Sequence, residues 1–176
     1  MAKTYRLSLT CADRSGLVAA VTGRLFDLGG NLGDTTFAVY GSAAEFTTLV
    51  SVPDTVTPTV IEEELAALPE APDAEIVIEP FDRPTTHGPM GRASHVITVS
   101  GGDQPGLIAR ISEVFGEFDA NIVHLEAELD PGPEPGGHYS TRFSVALAPA
   151  TANKCLATVA NTAENMNLSC HWEVVP

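Results

Sequence analysis

Apolar and polar residues follow two different periods along this chain, and the two periods locate its elements. Residues 4–11 alternate between apolar and polar side chains, which is the period of a strand with one buried face. In residues 16–29 the apolar side chains recur at spacings of four, four and three, as in an amphipathic helix. That apolar stripe consists of Leu17, Val21, Leu25 and Leu28. Gly29 and Gly30 then predict the end of the helix.

The first half of the chain contains three more predicted strands and a second helix. Thr57 can cap this helix, Pro58 fits its first turn, and Pro69 ends it. The predicted strands after the first helix are 32–40, 45–52 and 74–79. The order of elements in this half is therefore βαββαβ.

A second copy of this pattern follows at an offset of 90 residues. LSLT at 7–10 matches ITVS at 97–100 in chemical type, position by position. Asp13, Gly16, Leu17, Ala19 and Asn31 recur as Asp103, Gly106, Leu107, Ala109 and Asn121. The second copy predicts strands at 95–101, 122–129, 139–147 and 169–175 and helices at 106–118 and 151–165.

The two copies predict an α+β protein of two ferredoxin-like βαββαβ units, each with a four-stranded antiparallel sheet. We place the first unit at 1–80, an exposed linker at 81–94 and the second unit at 95–176. The segment 130–138 is so rich in proline and glycine that it predicts a loop. Two helices cover only one sheet face, so we expect the other to be covered by the sister unit or a second chain.

A strand that ends in D-x-x-G-L, followed by an apolar helix and an N-[LI] pair, resembles the ACT domain. The resemblance covers both halves. It implies regulatory modules that bind amino acids or other small ligands. Two such copies in one chain resemble the tandem ACT-domain regulators, among them the glycine cleavage system transcriptional repressor family.

The repeated residues have the chemistry to bind a zwitterion. The N-terminus of each first helix offers unpaired N–H groups to a carboxylate, and Gly16 or Gly106 permits close approach. Asp13 or Asp103 can bind an ammonium group, and Asn31 or Asn121 offers both a donor and an acceptor. The candidate ligand-binding residues are Asp13, Ser15, Gly16, Leu17, Asn31, Leu32, Asp103, Gly106, Leu107, Asn121 and Ile122.

The same residues also have a purely structural interpretation. The aspartates can cap the helices, and the asparagines can adopt a left-handed turn before the next strand. In serine-binding ACT domains a histidine lies two residues before the first polar contact, but Cys11 and Gly101 occupy those positions here. The resemblance thus implies a small amino acid, such as glycine or serine, without assigning it.

The charge balance limits the partners. The chain has nine lysine and arginine residues against 23 aspartate and glutamate residues, a net charge of -14. No cluster of basic residues suits a phosphate backbone, and the acidic surface repels anionic membranes, so we expect no direct nucleic-acid or membrane binding. The sequence lacks a signal-peptide pattern and an apolar run long enough to span a bilayer, which favours a cytoplasmic protein.

Candidate catalytic and metal-binding groups are poorly placed. Among the histidines, His124 with Glu126 and Glu128 comes nearest to a metal set, and a solvated strand face is the simpler interpretation. Cys170 and His171 are strand neighbours that point to opposite faces, so they cannot easily form a nucleophile–base pair. The three cysteines are expected to be free thiols. We therefore expect no cofactor and no enzymatic activity.

The sequence favours a regulatory protein that binds a small amino acid and signals to a protein partner. We expect the ligand beside the first-helix N-termini, where two units meet, in a homodimer or higher homo-oligomer. The alternative is a structural module that oligomerises without a ligand. A third hypothesis, an enzyme of ferredoxin-like fold, lacks a recognisable base and nucleophile.

Overall fold

Each half of the chain folds as βαββαβ in a computed structural model that describes residues 2–132 and 137–175. The chain divides into two compact units between Thr85 and Thr86. The first unit comprises β1 (Lys3–Ala12), α1 (Leu17–Asp27), β2 (Asn31–Tyr40), β3 (Ala43–Val52), α2 (Pro58–Ala66) and β4 (Glu75–Pro80). The second comprises β5 (His95–Gly102), α3 (Leu107–Glu117), β6 (Asn121–Asp130), β7 (His138–Ala146), α4 (Ala152–Asn165) and β8 (Ser169–Val174). The predicted order of elements is confirmed.

Both sheets are antiparallel and have the same topology. The strand orders are β2-β3-β1-β4 and β6-β7-β5-β8. In each unit the first two strands lie on either side of the third, so they run in the same direction. The end of β1 is therefore at the opposite end of the sheet from the start of β2.

Each core lies between the helices and one face of the sheet. In the first unit the alternating β1 residues Leu7 and Leu9 are fully buried, as the period of two requires. The helices contribute Leu17, Val21, Leu25, Ile61 and Leu65. In the second unit the rings of Phe115 on α3 and Phe143 on β7 pack edge to face, with their centroids 5.3 Å apart.

The start of α2 is as predicted, whereas α2 ends at Ala66, before the predicted stop at Pro69. The Thr57 hydroxyl accepts a hydrogen bond from the Val60 N–H at 3.3 Å, and Pro58 is the first residue of α2. α1 ends at Asp27, and Gly29 takes the left-handed conformation with φ 74°.

The sheet face away from the helices carries mainly polar side chains, so it does not require an apolar cover. In the first unit the hydroxyls of Thr4 and Ser51 lie 3.0 Å apart, and those of Ser8 and Thr47 lie 3.1 Å apart. In the second unit the hydroxyls of Ser100 and Ser169 lie 3.0 Å apart. Paired hydroxyls satisfy one another across strands.

Two connecting segments have more detail than the sequence predicts. Within the linker predicted at 81–94, Pro89–Gly91 forms a 3₁₀ turn. The loop predicted at 130–138 is shorter, since β6 continues to Asp130 and β7 begins at His138; its residues 133–136 lie outside the described residues. Among the helices of the described chain, none combines the length and apolar character that a membrane span needs.

Candidate functional site

The loop between β5 and α3 gives the second unit an open helix N-terminus. Gly106 precedes the helix with φ 84°, in the left-handed region that favours glycine, and no side chain caps the helix. A Cβ built on Gly106 meets no other atom within 4 Å. The first N–H groups of α3 are therefore accessible to a small molecule.

A cavity of about 230 Å³ lies against this helix N-terminus. Its lining residues are Asp103, Gln104, Pro105, Gly106, Leu107, Ile108, Ala109, Leu129 and Tyr139. Three of the predicted site residues in the second unit, Asp103, Gly106 and Leu107, thus line one cavity. Leu129 from β6 and Tyr139 from β7 add an apolar wall that sequence reasoning missed. The sequence contains a signal for this wall, because Leu129 ends the predicted strand 122–129 and Tyr139 begins the predicted strand 139–147. The two residues pair in the β6–β7 register.

The corresponding loop of the first unit is more crowded. Gly16 takes φ 89° before α1, which again has no side-chain cap. The Cγ atom of Glu70 lies 4.0 Å from a Cβ built on Gly16, so an acidic side chain of the unit already adjoins this helix N-terminus. Asp13 and Ser15 are exposed, whereas Leu17 belongs to the core.

The structure differs from the alternative interpretation in which the aspartates cap the helices. The N-cap residue is Gly16 in one unit and Gly106 in the other, and neither helix has a side-chain cap hydrogen bond. Asp13 lies three residues earlier, and its N–H donates to the Ser42 carbonyl oxygen at 2.9 Å. This leaves both carboxylates available for other contacts.

The asparagines lie at the far end of each sheet. On β3, the partner of Asn31 is Ser51, and the partner of Ala12, the last residue of β1, is Ala43. These two partners are eight residues apart, which is about 27 Å at the rise of a strand residue. The second unit repeats this separation between Asn121 and Asp103. The structure therefore does not bring the aspartate and asparagine of one unit together, because β1 and β2 run in the same direction.

The asparagines do not adopt the left-handed turns that the structural interpretation gave them. Gly29 with φ 74° and Asp119 with φ 53° take that conformation instead. Asn121 donates from its Nδ2 atom to the Met90 carbonyl oxygen at 2.6 Å, and it lines an open groove of about 720 Å³. The residues after the asparagines, Leu32 and Ile122, are half-buried and pack against the two cores.

The cysteines are free thiols; Cys11 and Cys155 are buried and Cys170 is half-buried. Burial raises the pKa of the Cys11 thiol; the Arg14 charge opposes this rise and the Asp13 charge adds to it. Burial also raises the pKa of Cys155 and of Cys170. A raised pKa keeps a thiol protonated and unreactive.

No catalytic pair forms at Cys170 and His171. Cys170 pairs with Val99 on the face that packs against the helices, whereas His171 pairs with Thr98 on the other face. The prediction that the two side chains diverge is confirmed.

The histidine set on β6 lies on the polar sheet face. The Nε2 atom of His124 lies 3.2 Å from the Oε1 atom of Glu126; the His124 side chain is about half exposed and that of Glu126 is more exposed. Across residues 2–132 and 137–175, no group of three or more potential metal ligands converges.

Comparisons with known proteins agree with this architecture. The sequence pattern that defines the ACT domain matches residues 95–146. A crystal structure of an "unknown protein" from Galdieria sulphuraria is 21% identical, covers 100% of both chains and has a TM-score of 0.76. A protein provisionally named a glycine cleavage system transcriptional repressor is 14% identical, covers 99% of this chain and 98% of its own, and has a TM-score of 0.64. At these identities the two structures show a shared fold. No curated protein matches the sequence.

Proposed function

We propose that this chain, whose second unit matches the ACT domain over residues 95–146, is a tandem ACT-domain protein and a non-enzymatic regulator that binds a small amino acid and signals to a protein partner. The observation that supports this most directly is the open cavity at the N-terminus of α3 in the second unit. The first unit, whose helix N-terminus adjoins Glu70, is proposed as the weaker or unoccupied site.

The cavity offers a separate partner to each part of an amino acid. The carboxylate of Asp103 attracts an ammonium group through a charge-assisted hydrogen bond. The first N–H groups of α3 and the positive end of its dipole attract a carboxylate. Ile108, Leu129 and Tyr139 offer apolar contact to a side chain.

The cavity walls also bear on which amino acid binds. Glycine and serine are the first candidates from the family resemblance. An aliphatic amino acid would fill more of the space and bury more apolar surface against Leu129 and Tyr139 than glycine, which has no side chain. Asn121 is not part of this proposal, because it lies at the other end of the sheet.

The proposed route from ligand to partner is through protein surfaces. The net charge of -14 opposes direct contact with nucleic acid, so any effect on transcription would pass through a second protein. Leu129 lines the cavity from an edge strand, so a ligand there touches an element that can also meet a partner. Association of two chains is proposed through the edge strand β2, which has no charged residue from Thr35 to Tyr40 and where Phe37 and Val39 are exposed.

Two observations favour a ligand-independent oligomerisation module as the second candidate. The amide of Asn121 is already bound by the Met90 carbonyl oxygen, and the first helix N-terminus adjoins Glu70. Two of the polar positions that a ligand could use are therefore near groups of the protein itself.

A thermal-shift screen against the common amino acids, glycine and serine among them, tests the proposal. A ligand that binds only the folded state stabilises it by about 2.7 kcal/mol at a hundredfold excess over its Kd. We expect one class of amino acid to raise the Tm of the wild type and of Asp13→Asn, and to lose most of that effect in Asp103→Asn. If no amino acid raises the Tm, the oligomerisation module is favoured instead.

A further inference from the structure

β6 is an edge strand with an exposed apolar side. It lies at the end of the β6-β7-β5-β8 sheet and pairs only with β7 within the described part of the chain. On the side that faces the helices, Leu125 is 38% exposed and Leu129 is 53% exposed. An edge strand presents unpaired backbone donors and acceptors to any extended segment that approaches it.

The opposite side of β6 carries a row of acidic groups. Glu126, Glu128 and Asp130 recur at every second position and are exposed. Arg142 lies across from Glu126, but its guanidinium contacts Glu173 at 3.5 Å. The row therefore retains its negative charge toward the open edge, apart from the His124 ring near Glu126.

This charge pattern opposes antiparallel pairing of β6 with a second copy of itself. If the two-fold centre of such a pair lies at Glu126, this residue faces Glu126 of the second chain. If the centre lies at Ala127, Glu126 of each chain faces Glu128 of the other. If the centre lies at Glu128, Glu128 faces Glu128 and Glu126 faces Asp130. Like charges directly opposite each other are destabilising. The edge strand β2 has no charged residue from Thr35 to Tyr40 and lacks this repulsion.

The edge strands of the described units offer this acidic row no complementary charge. The edge strands of the described units, β2, β4, β6 and β8, contain no lysine or arginine. The basic strand residues Lys3, Arg6 and Arg142 lie on β1 and β7, which are already paired on both sides. We therefore look for the complementary charge in another protein.

We propose that β6 binds an extended segment of a different protein that carries lysine or arginine at every second position and apolar residues between them. The backbone extends the sheet, the basic side chains face Glu126 and Glu128, and the apolar ones contact Leu125. This names a surface for the protein partner proposed above. It does not depend on amino-acid binding, so either proposal can fail alone.

Binding of a labelled peptide in which valine and lysine alternate tests this surface on the full chain. Any cationic peptide is attracted to a protein of net charge -14, so the controls must separate strand addition from general attraction. One control peptide has methylated backbone nitrogens, which keeps its charge and removes its hydrogen-bond donors. The variant Glu126→Gln/Glu128→Gln is matched by Glu62→Gln/Glu63→Gln, which removes equal charge from exposed positions on α2.

We expect the β6 variant to weaken peptide binding about five- to tenfold and the α2 variant to weaken it less than twofold. The methylated peptide should lose most of its binding, and hydrogen exchange should slow in 121–130 but not in 31–40. Equal effects of the two variants, or full binding by the methylated peptide, would overturn the proposal. Self-association of Glu126→Thr/Glu128→Thr without peptide binding by the wild type would show that the acidic row only protects the edge.

Discussion

The side-chain amide of Asn121 donates a hydrogen bond to the backbone carbonyl oxygen of Met90 at 2.6 Å. This bond joins the start of β6 to the 3₁₀ turn Pro89–Gly91, which precedes the second sheet. Asn31 occupies the corresponding position in the first unit, and its side chain has no hydrogen-bond partner among the described residues. Among the described residues, the repeated asparagine therefore makes a side-chain hydrogen bond in one copy alone.

Asn121→Ala should destabilise the second unit by about 0.5–1.5 kcal/mol, because it removes this bond and leaves the Met90 carbonyl oxygen to water. Asn31→Ala should change the free energy of unfolding by less. Urea denaturation of both variants measures the difference. Equal losses in the two variants would contradict a specific role for the Met90 contact.

Gly106 needs its left-handed conformation. Gly106→Ala should cost about 1–2 kcal/mol, because an L side chain is strained at φ 84°. Gly116→Ala is the matched control within α3: its Cβ meets no atom within 4 Å, and the change should stabilise the helix by about 0.5–1 kcal/mol. In thermal unfolding we expect Gly106→Ala to lower the Tm and Gly116→Ala to raise it. A lower Tm in both variants would contradict a specific strain at Gly106.

Thr141 and Thr48 are both buried but differ in their hydrogen bonds. The Oγ1 atom of Thr141 has no partner among the described residues, whereas that of Thr48 lies 2.7 Å from the Thr35 hydroxyl. Thr141→Val should therefore be neutral or stabilising, by up to about 1 kcal/mol, and Thr48→Val should lose about 1 kcal/mol. Chemical denaturation at one pH compares them. A larger loss at Thr141 would mean that its hydroxyl is satisfied after all.

Burial of Cys155 makes stability depend on alkaline pH. Its pKa is raised above the ordinary value of 9.0 in the folded protein, so the unfolded chain releases this proton first as the pH rises. The stability that the protonated Cys155 thiol contributes is present below pH 9.0 and is lost as the pH rises from there toward the pKa of the folded protein. Cys155→Ala should therefore flatten the decline of the free energy of unfolding above that pH, as measured by urea titrations at several pH values. An unchanged slope would contradict this assignment.

The periodic parts of the fold could be predicted because burial of one face imposes a period on the sequence. The stripe Leu17, Val21 and Leu25 and the alternating strand β1 are examples, and Thr57 shows that a cap can also be identified. The Met90 contact of Asn121 could not be predicted, since its acceptor is a backbone group in a segment without periodicity.

The grouping of the site residues stays a prediction, and strand direction limits it. Within one unit, Asp103 and Asn121 lie at opposite ends of the sheet. A helical crossover between two strands of one sheet makes those strands run in the same direction, so the order βαβ already contained this information. The wall formed by Leu129 and Tyr139 was equally implied by the β6–β7 hairpin.

Isothermal titration of the amino acid that most raises the Tm tests the central claim most directly, with wild type, Asp103→Asn and Asp13→Asn compared at one pH. The account predicts that binding weakens at least about tenfold in Asp103→Asn, a loss of about 1.4 kcal/mol, and stays close to wild type in Asp13→Asn. Undiminished binding by Asp103→Asn would contradict a ligand site at the N-terminus of α3.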